Sequence, residues 1–171
     1  MKTRQFSQRG FTLVETLVAI SVLVMLSGVM VVYNRSSEQE IVMLREQAKL
    51  ISFVSRAKSF ALQTYLSGTP ACGYGIHVDQ AQNSVILFRD LAAKCPGDNK
   101  YTDSSELVDS YQLPATVHIA SASLTDVLFV PPDPDVIFTP SQNQGTVTLQ
   151  TLSGGMETSI TISNAGQITT R

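Results

Sequence analysis

Between Phe11 and Tyr33 lie 23 residues with a single charged side chain, Glu15. At about 1.5 Å of rise per residue, such a run makes a helix of roughly 35 Å, enough to cross the roughly 30 Å hydrocarbon core of a bilayer. Lys2, Arg4 and Arg9 precede it, with no acid before Glu15. Positively charged flanks stay in the cytoplasm, so the amino terminus is expected inside and the remainder outside.

A cleaved secretory signal has an apolar core of about 7–15 residues that ends at a small-x-small site. Here Ser27-Gly28 is followed by four more apolar residues, Val29 to Val32, which argues against an ordinary cleaved signal. A plain signal anchor accounts for the length and the flanking charges. It does not account for an acid five residues into the run. A carboxylate in hydrocarbon costs several kcal/mol unless it is neutralised or paired. The next basic residue downstream, Arg35, lies about 30 Å further along a helix. The partner of Glu15 must come from another chain or from a newly made amine.

The stretch Arg9-Gly10-Phe11-Thr12-Leu13-Val14-Glu15-Thr16-Leu17, with its short basic leader, resembles the processing site of type IV prepilins and type II secretion pseudopilins. The resemblance implies a cut between Gly10 and Phe11 by a membrane-embedded aspartic prepilin peptidase, followed by N-methylation of Phe11. It further implies that Glu15, the fifth mature residue, pairs with the terminal amine of a neighbouring subunit. The charge argument runs the same way. Cleavage makes a cation at the cytoplasmic edge of the helix, and a second chain shifted along a filament would bring it to a buried Glu15. Desolvation offsets much of the Coulomb gain, so the pair favours assembly chiefly because each half alone is costly.

Past Arg35-Ser36-Ser37-Glu38-Gln39-Glu40 the helix is expected to continue. Ile41, Leu44, Ala48, Ile51, Phe53, Val54, Ala57, Phe60, Ala61 and Tyr65 supply an apolar stripe, and Glu38, Glu40, Arg45, Glu46, Lys49, Arg56 and Lys58 a polar face. No proline occurs before Pro70, and Gly68 is the expected carboxy-terminal cap. A helix from about Thr12 to Leu66 follows. Gly28 within it is read as a small packing residue.

After Pro70 the pattern turns to strands. The expected strands are Tyr74–Val78, Val85–Phe88, Leu107–Leu113, Thr116–Ala120, Val127–Val130, Val136–Thr139, Thr146–Leu152, Thr158–Ser163 and a last short one through Ile168. Ser153-Gly154-Gly155-Met156 and Asn164-Ala165-Gly166-Gln167 read as turns, and Pro131-Pro132-Asp133-Pro134-Asp135 as a stiff surface loop. The fold class is therefore α+β: a long amino-terminal helix packed against a carboxy-terminal antiparallel β-sheet domain. The expected divisions are 1–10 (cleaved cytoplasmic leader), 11–33 (transmembrane or filament-core helix), 34–68 (amphipathic periplasmic continuation) and 69–171 (sheet domain). Phe138, Gly145-Thr146-Val147-Thr148-Leu149, Ile160-Thr161-Ile162-Ser163 and Gly166-Gln167-Ile168, in that order, loosely resemble the H-type minor pseudopilins and related minor type IV pilins.

Cys72 and Cys95 both fall on the expected outer side, where the periplasm is oxidising. They are expected to form a bridge enclosing Gly73 to Lys94, with two free thiols as the alternative. Zinc needs more ligands at tighter spacing, and His77 and His118 stand apart in strand-like runs. Asp98-Asn99-Lys100-Tyr101-Thr102-Asp103 offers oxygen atoms but lacks the glycine and terminal glutamate of a calcium loop, and reads as a solvated turn; the resemblance to pseudopilins, some of which bind calcium in a loop, keeps a calcium ion as the alternative. No metal or cofactor is expected. No nucleophile elbow, P-loop or dinucleotide fingerprint is present, so an enzyme is not expected.

The functional reading is a structural subunit of a type IV pilus or type II secretion pseudopilus. It is expected in the bacterial inner membrane as a single-pass protein, and then in the filament. Its implied partners are other pilins or pseudopilins, prepilin peptidase and the inner-membrane assembly platform. A minor subunit is the first choice. The alternatives are a major pilin, a DNA-uptake minor pilin, or an unprocessed signal-anchored periplasmic domain. The whole chain carries 12 Lys+Arg against 14 Asp+Glu. Without the three basic residues of 1–10 it has 9 against 14, a net of −5, which disfavours non-specific nucleic-acid binding.

Overall fold

The computed structural model describes residues 11–67, 71–132 and 135–171. The leader 1–10, the expected helix cap Gly68 with Pro70, and Asp133-Pro134 of the proline-rich loop lie outside them. One helix, α1, covers Leu13–Ser67. Nine strands follow: β1 Ala71–Asp79, β2 Ser84–Leu91, β3 Leu107–Gln112, β4 Val117–Ala122, β5 Asp126–Val130, β6 Asp135–Thr139, β7 Gln144–Thr151, β8 Glu157–Ser163 and β9 Ile168–Thr170. The chain divides into two units, 1–38 and 39–171, each described by itself below.

Within the second unit the α+β plan holds, with one correction: the strands form two sheets where a single one was expected. The first has the order β3-β2-β1-β5-β6 and the second β4-β7-β8-β9, and every pairing is antiparallel. The division falls at Pro114, which lies between β3 and β4 and has no N–H to continue a ladder. Asn83 then ties the two sheets together. It sits in the β1–β2 turn with a left-handed backbone (φ 53°), and its side-chain amide donates to Val117 O (2.8 Å) and accepts from Ile119 N–H (2.9 Å), both on β4.

The core is a continuous apolar cluster in which α1 meets both sheets. The helix supplies Met43, Leu50, Val54, Ala57 and Ala61. The first sheet supplies Ile76, Val85, Leu87, Val127 and Phe129, and the second Ile119, Val147, Leu149, Ile160 and Ile162. The buried helical stripe is rotated from the expected one. Ile41, Leu44 and Ala48 are exposed, while Met43 and Glu46 are buried. Glu46 is tolerated because Lys49 Nζ, one turn on, donates to it at 2.8 Å. Aromatic pairs line the helix–sheet seam: Phe53 with Tyr111 (centroids 4.6 Å) and Phe60 with Tyr74 (5.6 Å). Arg56 lies over both phenylalanine rings and reaches Asp109 at 2.7 Å.

Strand β1 begins three residues earlier than the expected Tyr74, and so includes Gly73 and Gly75. These glycines are poor strand formers, yet the packing requires them. A Cβ on Gly75 would strike the Val127 carbonyl oxygen and sit 2.9 Å from the Phe88 ring. Gly75→Ala is therefore expected to destabilise the outer unit by about 1–3 kcal/mol, as overpacking of a well-filled core does. Urea unfolding followed by circular dichroism should show a lower midpoint at unchanged slope, and an unchanged midpoint would mean the two backbones are not in contact.

Candidate functional site

The amino-terminal unit is defined by what its side chains do not touch. Leu13–Met30 is an 18-residue window of mean hydropathy 2.2, none of it buried within the chain. Phe11, just ahead of it, is 79% exposed. Apolar surface on this scale is not left in water by soluble monomers. It suits a surface that lipid or other apolar helices cover.

Local chemistry explains where the helix starts. Glu15 N–H donates to Thr12 Oγ1 at 3.3 Å, and Thr16 N–H to Thr12 O at 3.2 Å. Thr12 is thus the N-cap and Glu15 the third helical residue, the spacing of a capping box. Glu15 lies in the first turn, where the helix dipole favours negative charge. The sequence reading missed this cap, although the Thr-x-x-Glu spacing before an apolar run signals it.

The polar groups deeper in the run are satisfied within the helix. Thr16, Ser21 and Ser27 hydroxyls donate to Leu13 O (2.9 Å), Val18 O (2.8 Å) and Leu23 O (2.8 Å). Gly28 meets nothing that a methyl group would displace. Among the described residues the Glu15 carboxylate has no hydrogen bond or ion pair. Phe11 lies just ahead of the helix, four residues before Glu15. Gly10, the remaining expected processing residue, lies outside the described residues.

In the outer unit Cys72 of β1 and Cys95 of the segment after β2 are joined as a disulfide, with Cα atoms 5.3 Å apart. The histidines stand on different sheets. His77 Nδ1, on β1, lies 2.8 Å from Asp126 Oδ1, and His118, on β4, has a buried Nδ1 without a partner. Asp126 is buried at the start of β5. Burial pushes its carboxyl up, but hydrogen bonds from His77, Tyr101 N–H (3.1 Å) and the Thr125 hydroxyl (2.8 Å) outweigh that and hold it below the usual range. A depressed folded value means that stability is present above the unfolded pKa, about 3.9, and is lost as pH falls through the folded one. The outer unit should therefore lose stability on acidification below about pH 4. Asp126→Asn should lower the melting temperature at pH 7 and flatten that acid limb, whereas an unaltered acid limb would assign it to other carboxylates.

Residues 5–31 match the prokaryotic N-terminal methylation motif. No curated protein gives a significant match to the sequence. Among solved structures, the chain is similar to the minor pseudopilin EpsH from the Type 2 Secretion System of Vibrio cholerae. The identity is 15% and the TM-score 0.44, over 73% of this chain and 94% of that one.

Proposed function

From the premise that this chain carries the amino-terminal signature of the type IV pilin and pseudopilin superfamily, we propose that it is a filament subunit made as a membrane-anchored precursor. The observation that carries the reading is one segment with three properties. It matches the methylation motif over 5–31, it holds an uncovered apolar helix over Leu13–Met30, and its one carboxylate, Glu15, is unpaired among the described residues. In this reading prepilin peptidase cuts between Gly10 and Phe11 and methylates Phe11. The cut leaves one residue, Phe11, ahead of the Thr12 cap, so the mature helix needs nothing from the leader to start. The outer unit sits in the periplasm, where the Cys72–Cys95 bond persists.

Assembly then exchanges lipid around Leu13–Met30 for neighbouring helices, with little net change in exposed apolar area. The amine of one Phe11 meets Glu15 of the next subunit. The minor role rests on the order of the carboxy-terminal strand motifs, Gly145–Leu149 and Ile160–Ser163, which resemble those of minor pseudopilins. The work done by the filament is secretion or pilus extension, driven by a separate cytoplasmic motor.

Two experiments test this. Coexpression with a prepilin peptidase and sequencing of the mature chain should give N-methylated Phe11, and Gly10→Val should leave the precursor uncut. A chain still beginning at Met1, or cut near Ser27-Gly28, removes the assignment. Glu15→Ala should insert and be cut normally, yet the ratio of subunit in sheared filaments to membrane fraction should drop several-fold. Glu15→Gln retains a side chain able to accept a hydrogen bond, so a smaller drop would point to hydrogen bonding and an equal drop to charge. Normal incorporation of Glu15→Ala would leave the carboxylate as a helix-capping residue only, worth about 1 kcal/mol or less.

A further inference from the structure

Contacts with α1 show where each part of the outer unit lies along it. The Ser153 hydroxyl, in the β7–β8 turn, donates to Gln39 Oε1 at 3.3 Å, at the first residue of the unit. Arg56, which reaches Asp109 of β3, lies 17 residues and so about 25 Å further along the helix. Lys58, which donates to Gly166 O, lies further still. The β7–β8 turn is therefore at the amino-terminal end of the unit. Six residues separate Gln39 from Tyr33, the last residue of the apolar run, and they cover about 9 Å as helix. The headgroup layer is about 5–8 Å deep on each face of a bilayer, so this end of the unit starts beside it.

Apolar exposure gathers at the same end. Among the described residues of the outer unit, the most exposed large apolar side chains are Leu152 (68%), Ile41 (65%) and Leu44 (57%), and the next, Leu62 and Leu107, are at 42%. Ile41 and Leu44 stand two and five residues past Gln39, and Leu152 immediately precedes Ser153. Exposed apolar residues scattered singly are ordinary, but these three share one end of the unit. The turn also holds Leu152 in place. Leu152 N–H donates to Thr116 O (3.0 Å), Gly154 N–H to Thr151 O (2.8 Å) and Met156 N–H to Thr151 Oγ1 (3.2 Å). Gly154 supplies the left-handed backbone (φ 69°) that the turn needs. No charged residue occurs in 144–156 or in 110–117, the two stretches joined by the Leu152–Thr116 hydrogen bond. The charged residues beside the three positions, Glu38, Glu40, Arg45 and Glu157, are mostly acids, so anionic lipid finds little to attract it.

We propose that Leu152, with Ile41 and Leu44, docks this end of the outer unit on the membrane surface, the three side chains entering the boundary between headgroups and acyl chains. The inference rests on the membrane-anchored reading above. The partner is lipid recognised as an apolar interface, not by headgroup charge: burying aliphatic side chains there is favourable, and no basic patch is present to read charge. The turn enters at low cost, because the N–H groups of Thr151, Leu152, Gly154 and Met156 are already paired within the protein and lose no water. Docking keeps the outer unit of a waiting precursor at the bilayer, and the contact is given up when the chain leaves the bilayer for a filament.

The test uses the full chain in phosphatidylcholine vesicles, with an environment-sensitive fluorophore on one introduced cysteine. Cys72 and Cys95 are bonded to each other and do not take the label. The labelled variants are Leu152→Cys, Val108→Cys and Ser27→Cys. Val108, beside Asp109 and so at the level of Arg56, is the exposed reference, and Ser27 in the apolar run reports anchoring. Nitroxide carried on lipid headgroups should quench the label at 152 several-fold more than the label at 108, at low and high salt alike, since no ion pair holds the contact. Leu152 is exposed, so Leu152→Asp should fold normally, and a label at Ile41→Cys in that variant should lose most of its quenching. Equal quenching at 152 and 108, with the label at 27 strongly quenched by nitroxide placed in the acyl chains, overturns the docking and leaves the anchor standing. No quenching at 27 overturns the anchor, and the docking with it. Quenching at 152 that high salt abolishes assigns the contact to headgroup charge and overturns the proposal. So does a label at 152 that is shielded only as the protein-to-lipid ratio rises and ignores the nitroxide lipid, which assigns the patch to a second chain.

Discussion

A single helix with two different surroundings governs everything else in this protein. Up to Met30 α1 is apolar nearly all round, and none of Leu13–Met30 is buried. From Gln39 onward it has one buried stripe, set by Met43, Leu50, Val54, Ala57 and Ala61. A stripe can be covered by a sheet, and here it is covered by two. A helix apolar nearly all round offers more surface than one sheet can cover. The outer unit completes its own core, whereas Leu13–Met30 stays unburied.

That division also sorts the polar groups. In the outer unit several buried polar groups find partners: Asn83 joins the sheets, Glu46 is met by Lys49 on the same helix, and Asp126 collects three donors. In the inner segment the hydroxyls look inward to helix carbonyls and leave no polar group for a neighbour to match, save one carboxylate. The exceptions within the outer unit are the buried Asp90 Oδ1, Asn99 Oδ1, Tyr111 hydroxyl and His118 Nδ1, which have no hydrogen-bond partner among the described residues.

Much of this was readable in the sequence because it repeats at short range. Alternation at Val147 and Leu149, or at Ile160 and Ile162, places strands well, and the glycines at 154 and 166 mark turns that indeed need positive φ. The phase of the helical stripe was less secure. Apolar residues stand nearly all round the helix between 41 and 61, so two stripes fit the same period, and the pairing of Phe53 and Phe60 with Tyr111 and Tyr74 accompanies the one adopted. The second sheet was invisible, because alternation reveals a face and not a neighbour. The helix cap at Thr12 could have been read, while the approach of Asp90, Asp98 and Glu106 to one another could not. They come together only through an irregular segment whose path is set by Gly97, Asn99 and the disulfide.

The inward-bonded hydroxyls of the apolar segment have a mechanical consequence. Two helices that present only hydrocarbon to each other break no hydrogen bond when one slides past the other, and only the interlocking of side-chain ridges and grooves resists the movement. Such a surface offers several similar registers and does not by itself select one of them. A lone carboxylate near one end acts as a detent, because its energy changes sharply over the few ångströms in which a cation comes into reach. In the proposed assembly the segment from Phe11 to Met30 would therefore separate two tasks that most interfaces combine, with hydrocarbon providing adhesion and one acid providing position.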